Sequence, residues 1–190
     1  MDLPTMLCAA TVALGLGDNA ERAEFACKNM QNVVDSATKH DVDPALLLSL
    51  IHHESRWQPK SVSRSNACGL TQVIPKWTGG RSTNKKKYTC KQLFEPKLSI
   101  DVGAQVLSFW MRTYARGRWK VGLCGYNAGY RCKGKTPHAR GMQYATNVRR
   151  TAKKIKRFIK KKEKSNAIRC LEKAVIVGTE WLPKCDKKTN

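Results

Sequence analysis

Apolar residues recur at helical spacing through most of the chain. Leu3 to Leu16 is almost wholly apolar. Phe25, Ala26, Met30, Val33, Val34 and Ala37 then follow at three- and four-residue steps, which predicts a helix over 21–39. After the break "KHDVDP" a second helix opens at Asp43, where Asp suits the N-cap and Pro44 the first helical position. Ile100, Val102, Gly103, Val106, Leu107, Trp110 and Met111 form the apolar side of a helix over 99–115, and Val148, Ala152, Ile155 and Ile159 form a stripe over 144–162. Residues 166–182 are read as one last helix. Between these elements, residues 56–90 are rich in Ser, Asn, Gly and Pro and read as loop with a small β-hairpin. "KVGLCGYNAGYRCKGKTP" reads as a second glycine-rich loop that starts as a short helix. There is no internal repeat, and the pattern predicts an all-α class with little sheet.

One position breaks the pattern. Leu47, Leu50 and Ile51 lie seven, four and three residues before Glu54, so all four side chains share one helical face. A carboxylate at the edge of a buried stripe is disfavoured in its charged form, and its pKa rises. Such a group holds a proton near neutrality and can serve as a general acid. The residues alone leave a second reading open, in which Glu54 reaches solvent at the helix end or pairs with Arg56.

Charge narrows the partners. The 190 residues carry 36 Lys+Arg against 14 Asp+Glu, a net charge of +22. That field attracts polyanions, whether nucleic acid, anionic lipid or anionic cell-wall polymer. With 41% hydrophobic residues the chain can still build a core. Eight cysteines occur without a C-x-x-C pair, which points to disulfides and an oxidising compartment rather than a zinc ribbon. Proximity along the chain pairs 8 with 27, 68 with 90, 124 with 132, and 170 with 185. The N-terminal apolar run is short for a bilayer span and lacks a basic leader region. It is read as a retained helix packed on the domain or on a partner, in preference to a cleaved signal, and no transmembrane helix is expected. "HHES" lacks the spacing of H-E-x-x-H, so no metal site is assigned.

Four motifs then stand in order. They are Glu54-Ser55; Ser63 with Ala67, Gly69, Leu70, Gln72 and Pro75; Glu95-Pro96 with Ile100 and Gly103; and Tyr126-Asn127-Ala128-Gly129. Their order and spacing, over about residues 25–150, resemble the soluble lytic transglycosylase family, which has the goose-type-lysozyme-like fold. Two positions depart from the family pattern. Thr71 stands where Met is frequent, and Arg140 stands where an acidic residue often precedes the tyrosine matched by Tyr144.

The resemblance implies cleavage of the MurNAc–GlcNAc bond of peptidoglycan with 1,6-anhydro-MurNAc ends, with no cofactor. Glu54 would act first as acid and then as base, and Glu95 would be a scaffold residue. Ser55 would position Glu54, and Tyr144 would sit at the substrate. Gln72 would hold an acetamido group or brace a loop. Tyr126 would bond the acid or a sugar, or simply line the wall. Asn127 would face the acetamido side of the glycan or form a turn. Residues 1–20 are expected as an apolar N-terminal segment, 21–148 as the lysozyme-like catalytic domain and 149–190 as a basic helical extension. Action is expected in the periplasm or cell wall. The apolar N-terminus and the basic tail suit contacts in a larger assembly, such as a phage virion or a secretion or conjugation machine. Nucleic acid is the less favoured polyanion. Two alternatives remain: a hydrolytic muramidase, and a wall-binding virion component with a vestigial catalytic domain.

Overall fold

The computed structural model describes residues 1–134 and 136–176, with residues 167–176 described by backbone alone. Eight α-helices are found among them: α1 (Leu3–Ala13), α2 (Ala20–Lys28), α3 (Met30–Lys39), α4 (Pro44–Ser55), α5 (Cys90–Leu93), α6 (Pro96–Ser108), α7 (Trp119–Ala128) and α8 (Ala139–Ile176). Among the described residues the β component is confined to two isolated antiparallel bridges, Val62–Cys68 and Cys68–Val73. The all-α class with a small hairpin-like loop therefore holds.

Helix α4 is the axis of the molecule. Asp43 caps it, its carboxylate accepting from the Ala45 N–H at 3.0 Å, and Pro44 occupies the first turn. Leu47, Leu48, Leu50 and Ile51 are all fully buried, so the helix is enclosed on every side rather than on one stripe. It packs between α3 and α8. Its fully buried Ser49 hydroxyl donates to the Val148 carbonyl of α8 at 2.7 Å.

The boundaries differ from the sequence reading in four places. The helix expected over 21–39 is two helices that break at Asn29, whose side-chain amide donates to the Phe25 carbonyl at 2.9 Å. An Asn that bonds its own backbone competes with helix continuation. The helix expected over 99–115 starts earlier, because Glu95 caps it through the Lys97 and Leu98 N–H groups, and it closes in a π-helical turn over Phe109–Tyr114. The short helix expected at the start of the glycine-rich stretch runs on to Ala128 as α7, and a 3₁₀ turn over Gly129–Cys132 follows it. Gly122 and Gly125 are places of close approach, since a Cβ there would lie 2.6 Å from Met111 Sδ and 2.5 Å from the Trp110 ring. Finally, α8 runs unbroken through residue 166 to Ile176, where a separate helix had been expected over 166–182; residues 177–182 lie outside the described residues.

The N-terminal run forms α1, capped by Asp2, and packs on the domain. Leu7, Ala10 and Leu16 belong to the same core as Leu47, Leu48 and Ile51. Disulfides join Cys8 to Cys27, Cys68 to Cys90 and Cys124 to Cys132, as proximity suggested. The fourth pairing, 170 with 185, lies outside the described residues. Among the described residues no helix is long and apolar enough to cross a membrane.

Candidate active site

Glu54 lies on the last turn of α4. The chain then turns sharply, with Arg56 (φ 50°) and Trp57 (φ 65°) both left-handed. Side chains rarely adopt that region, and two in succession beside a candidate acid mark strain held by packing; Trp57 is fully buried. The turn is pinned from outside. Asp18 accepts from Arg56 at 3.1 Å and from Arg22 at 3.2 Å, and the His52 ring meets the Leu16 carbonyl at 2.7 Å.

The carboxyl of Glu54 is half-buried by exposed area, yet deep enough among protein atoms that desolvation pushes its pKa up to about 7. One bond opposes that rise. The Tyr144 phenol, from α8, donates to Glu54 Oε1 at 2.5 Å. Tyr126, near the end of α7, donates to the Thr71 carbonyl at 2.7 Å. Burial and the neighbouring Glu54 charge hold both phenols well above the ordinary tyrosine range, so both stay neutral donors. His53 is turned to Thr151 of α8, with Nε2 3.0 Å from Oγ1. Desolvation and the charges of His52 and Arg56 lower its pKa to about 4, so its ring is neutral.

The loop after α4 carries the next residues. Gly69 (φ 76°) packs so tightly that a Cβ would lie 1.9 Å from the Leu93 carbonyl oxygen. Thr71 is fully buried, and its hydroxyl donates to the Ser99 carbonyl at 2.7 Å. Gly103 of α6 makes room for it, because a Cβ there would meet the Thr71 side chain at 2.3 Å. The departure at position 71 is thus a buried, bonded core residue. Gln72 (φ 51°) directs its amide nitrogen to the Ser61 and Gly69 carbonyls, at 3.1 and 2.9 Å. That is the loop-bracing geometry, and it leaves Oε1 as the atom available to a ligand.

The structure therefore brings Glu54, Tyr144 and Tyr126 together, with Thr71 and Gln72 on the adjoining loop. Ser55 points inward instead. It is buried, and its hydroxyl bonds the Ile51 carbonyl of its own helix at 3.3 Å. Asn127 is exposed at the end of α7, just before Gly129 (φ 68°) ends that helix. Glu95 caps α6, and Asp18 is held by two arginines, so neither is poised as a partner carboxylate for Glu54. Sequence reasoning missed the His53–Thr151 and Asp18–Arg56 contacts. Their partners lie far apart in the chain, and no local periodicity signals them.

Comparison with known proteins follows the same lines. The chain is 32% identical over 101 residues to membrane-bound lytic murein transglycosylase E of Buchnera aphidicola subsp. Acyrthosiphon pisum (strain APS), covering 50% of this chain and 46% of that protein. It is 37% identical over 116 residues to membrane-bound lytic murein transglycosylase C of Yersinia pestis (strain Pestoides F), covering 55% of this chain and 32% of that protein. It thus spans less than half the length of these curated relatives. In fold it is similar to an inactive mutant of the lytic transglycosylase Slt from Pseudomonas aeruginosa, with a TM-score of 0.55 and 23% identity over 64% of this chain and 23% of that one. Residues 31–149, more than half of the chain, match the family described as Transglycosylase SLT domain, and the chain belongs to that family.

Proposed function

We propose that this chain is a peptidoglycan lytic transglycosylase with Glu54 as its single acid–base group. The observation that carries this reading is one carboxyl with a pKa of about 7, held by Tyr144, with no second carboxylate among the described residues poised beside it. Hydrolytic glycosidases generally need two such groups, the second to activate water or attack the sugar. A single carboxyl suffices when the nucleophile is already part of the substrate.

With Oε1 accepting from Tyr144, the proton resides on Glu54 Oε2. It passes to the glycosidic oxygen as the bond from C1 of the muramic residue breaks. The carbonyl oxygen of the 2-acetamido group stabilises the cationic C1. Glu54, now a carboxylate, removes the proton from the C6 hydroxyl, and O6 closes on C1. The acetamido oxygen leaves, a 1,6-anhydro ring forms and no water is consumed. The tethered hydroxyl supplies the proximity that catalysis requires. In this reading Tyr144 positions the acid, and Tyr126 fixes the Thr71 carbonyl and the loop behind it. Gln72 Oε1 accepts from an acetamido N–H, Asn127 offers its exposed amide to the glycan, and Ser55 acts only through the end of its helix.

The chain works at the cell wall, in the periplasm. Residues 1–20, 21–148 and 149–190 serve as brace, catalytic unit and basic extension. The cationic face of α8 holds the anionic wall and gives a larger assembly, of the virion or secretion-machine kind, a surface to bind. Mass spectrometry of purified peptidoglycan digested by the chain tests the central claim. Anhydro ends are expected; reducing ends would make it a muramidase, and no cleavage would leave a wall-binding module.

A further inference from the structure

Residues 55–94 contain nine Lys or Arg and no Asp or Glu. All nine cations are exposed, and none belongs to the cationic face of α8. The tip of this region is a closed loop, not a loose basic tail. The buried Thr78 hydroxyl accepts from the Tyr88 N–H, and the buried Thr83 hydroxyl accepts from the Gly79 N–H, both at 2.9 Å. The Gly79 N–H also donates to the Lys86 carbonyl at 2.8 Å. The Cys68–Cys90 disulfide ties the base. These bonds fold Arg81 and the run Lys85-Lys86-Lys87 back onto the residues that follow Trp77. On the other side of the tryptophan, Lys76 Nζ lies 5.3 Å from the centre of its ring. Cations from both ends of the loop therefore stand around one aromatic side chain.

That side chain is left in water. Trp77 is 68% exposed, and Val62, which lines the same groove, is 52% exposed. Ile74 and Pro75 extend the groove wall, and its volume is about 600 Å³. An apolar surface displayed on a rigid loop and ringed by charge of one sign marks a contact site.

The partner must be anionic and must also offer an apolar phase. Single-stranded nucleic acid supplies the charge, but it is held on successive aromatics, and this groove presents one. Anionic wall polymers supply charge and leave Val62 and Trp77 wet. A phospholipid surface supplies both. Indole sits at the boundary between acyl chains and headgroups, with its ring in the apolar part and its N–H in the polar part. Lysines on flexible stems reach the phosphates while their methylenes lie along apolar surface. We propose that the loop over residues 76–87, together with Val62, docks the chain on an anionic phospholipid surface. The docking is separate from catalysis and holds whichever reaction Glu54 performs.

The test is co-sedimentation of the full chain with vesicles of phosphatidylglycerol and phosphatidylcholine, and with vesicles of phosphatidylcholine alone. Binding to the anionic vesicles is expected to be at least about tenfold tighter, since each cation near such a surface contributes about fivefold. Trp77→Ala should weaken it about tenfold, the low end for returning a large apolar side chain to water. Lys76→Gln and Lys86→Gln should each weaken it about fivefold. All three sites are exposed, so melting temperatures should not move. Brominated acyl chains should quench the indole fluorescence of the parent, and the quenching should drop in Trp77→Phe. It should persist when Lys153, Lys154, Arg157 and Lys161 of α8 are changed to Gln, which separates this loop from the other cationic face. Equal binding to both vesicle types overturns the proposal, as does binding unchanged in Trp77→Ala and Lys86→Gln. Displacement of the chain from vesicles by glycerol phosphate at the same phosphate concentration would reduce the site to a phosphate contact and also overturn it. So would an oligonucleotide that binds more tightly than the vesicles and is released by the same substitutions.

Discussion

The Tyr144 phenol donates to Glu54 Oε1 across 2.5 Å, joining residues ninety positions apart on α8 and α4. This bond lowers the Glu54 pKa against the larger upward push of desolvation, and the balance stands at about 7. Removing the donor therefore leaves burial unopposed. Tyr144→Phe is expected to move the falling, alkaline limb of the pH–rate profile to higher pH. It should also cut the plateau rate about ten- to hundredfold, the range for losing a hydrogen bond to a charged group. A profile whose limb stays in place would show that Tyr144 does not act on the acid.

Glu54→Gln removes the proton and keeps the shape. Cleavage should fall by at least about a hundredfold, the lower end of general acid–base contributions. Stability should move the other way, and only above a defined pH. The native pKa lies above the ordinary glutamate value of 4.5, so the folded state keeps a proton that the unfolded state loses. The stability associated with that proton is complete below pH 4.5 and declines as pH rises through about 7. The Gln variant avoids the decline. Its melting temperature should match that of the parent at pH 4 and exceed it at pH 8. Equal melting temperatures at both values would mean that the carboxyl is not desolvated.

Much of this site could be read from the sequence, because its local part follows short-range rules. Asp43-Pro44 starts α4, and the Leu47, Leu50, Ile51, Glu54 spacing sets the acid on an apolar face, as found. The extent of helix α7 was hidden because its glycines look like turn residues. Their reason is tertiary, the close approach of Trp110 and Met111. The break at Asn29 was hidden because the apolar period continues across it. The Tyr144–Glu54 bond follows from how α8 crosses α4, which no local pattern encodes, although the family spacing had already singled out Tyr144.

The loop that carries Gln72 is expected to answer to stability as well as to turnover. The Gln72 amide satisfies two carbonyls, on Ser61 and Gly69. Each carbonyl keeps a backbone donor, from Gly69 N–H and Gln72 N–H, so Gln72→Ala loses two bracing bonds without orphaning either group, at a cost of about 1 kcal/mol for each. Melting temperature and activity should fall together, whereas Gln72→Glu, which lacks the amide donors, should not restore either. Gly69→Ala should be worse, since its Cβ would overlap the Leu93 carbonyl oxygen and its φ is 76°. An unchanged melting temperature in Gln72→Ala would return this residue to a purely ligand-facing role.

Helix α8 combines a docked stripe with an outward cationic face. Val148, Ala152 and Ile155 are buried against the domain, while Arg150, Lys153, Lys154, Arg157 and Lys161 are exposed. The same helix supplies Tyr144 to the acid and Thr151 to His53, so its charges begin beside the site. Wall stems carry carboxylates, and attraction between them and this face acts over about 10 Å at 0.1 M salt. Binding to whole cell walls should therefore weaken steeply as salt rises, while cleavage of a short glycan without stem peptides changes little. Changing Lys153, Lys154, Arg157 and Lys161 to Gln leaves the buried stripe intact. It should flatten the salt dependence of wall binding without altering the short-glycan rate. Titration against walls and duplex DNA at two salt concentrations separates the two polyanions, because phosphate contacts impose their own steep salt slope. Tighter binding to DNA than to walls at both concentrations would overturn the assignment of this face to the cell wall.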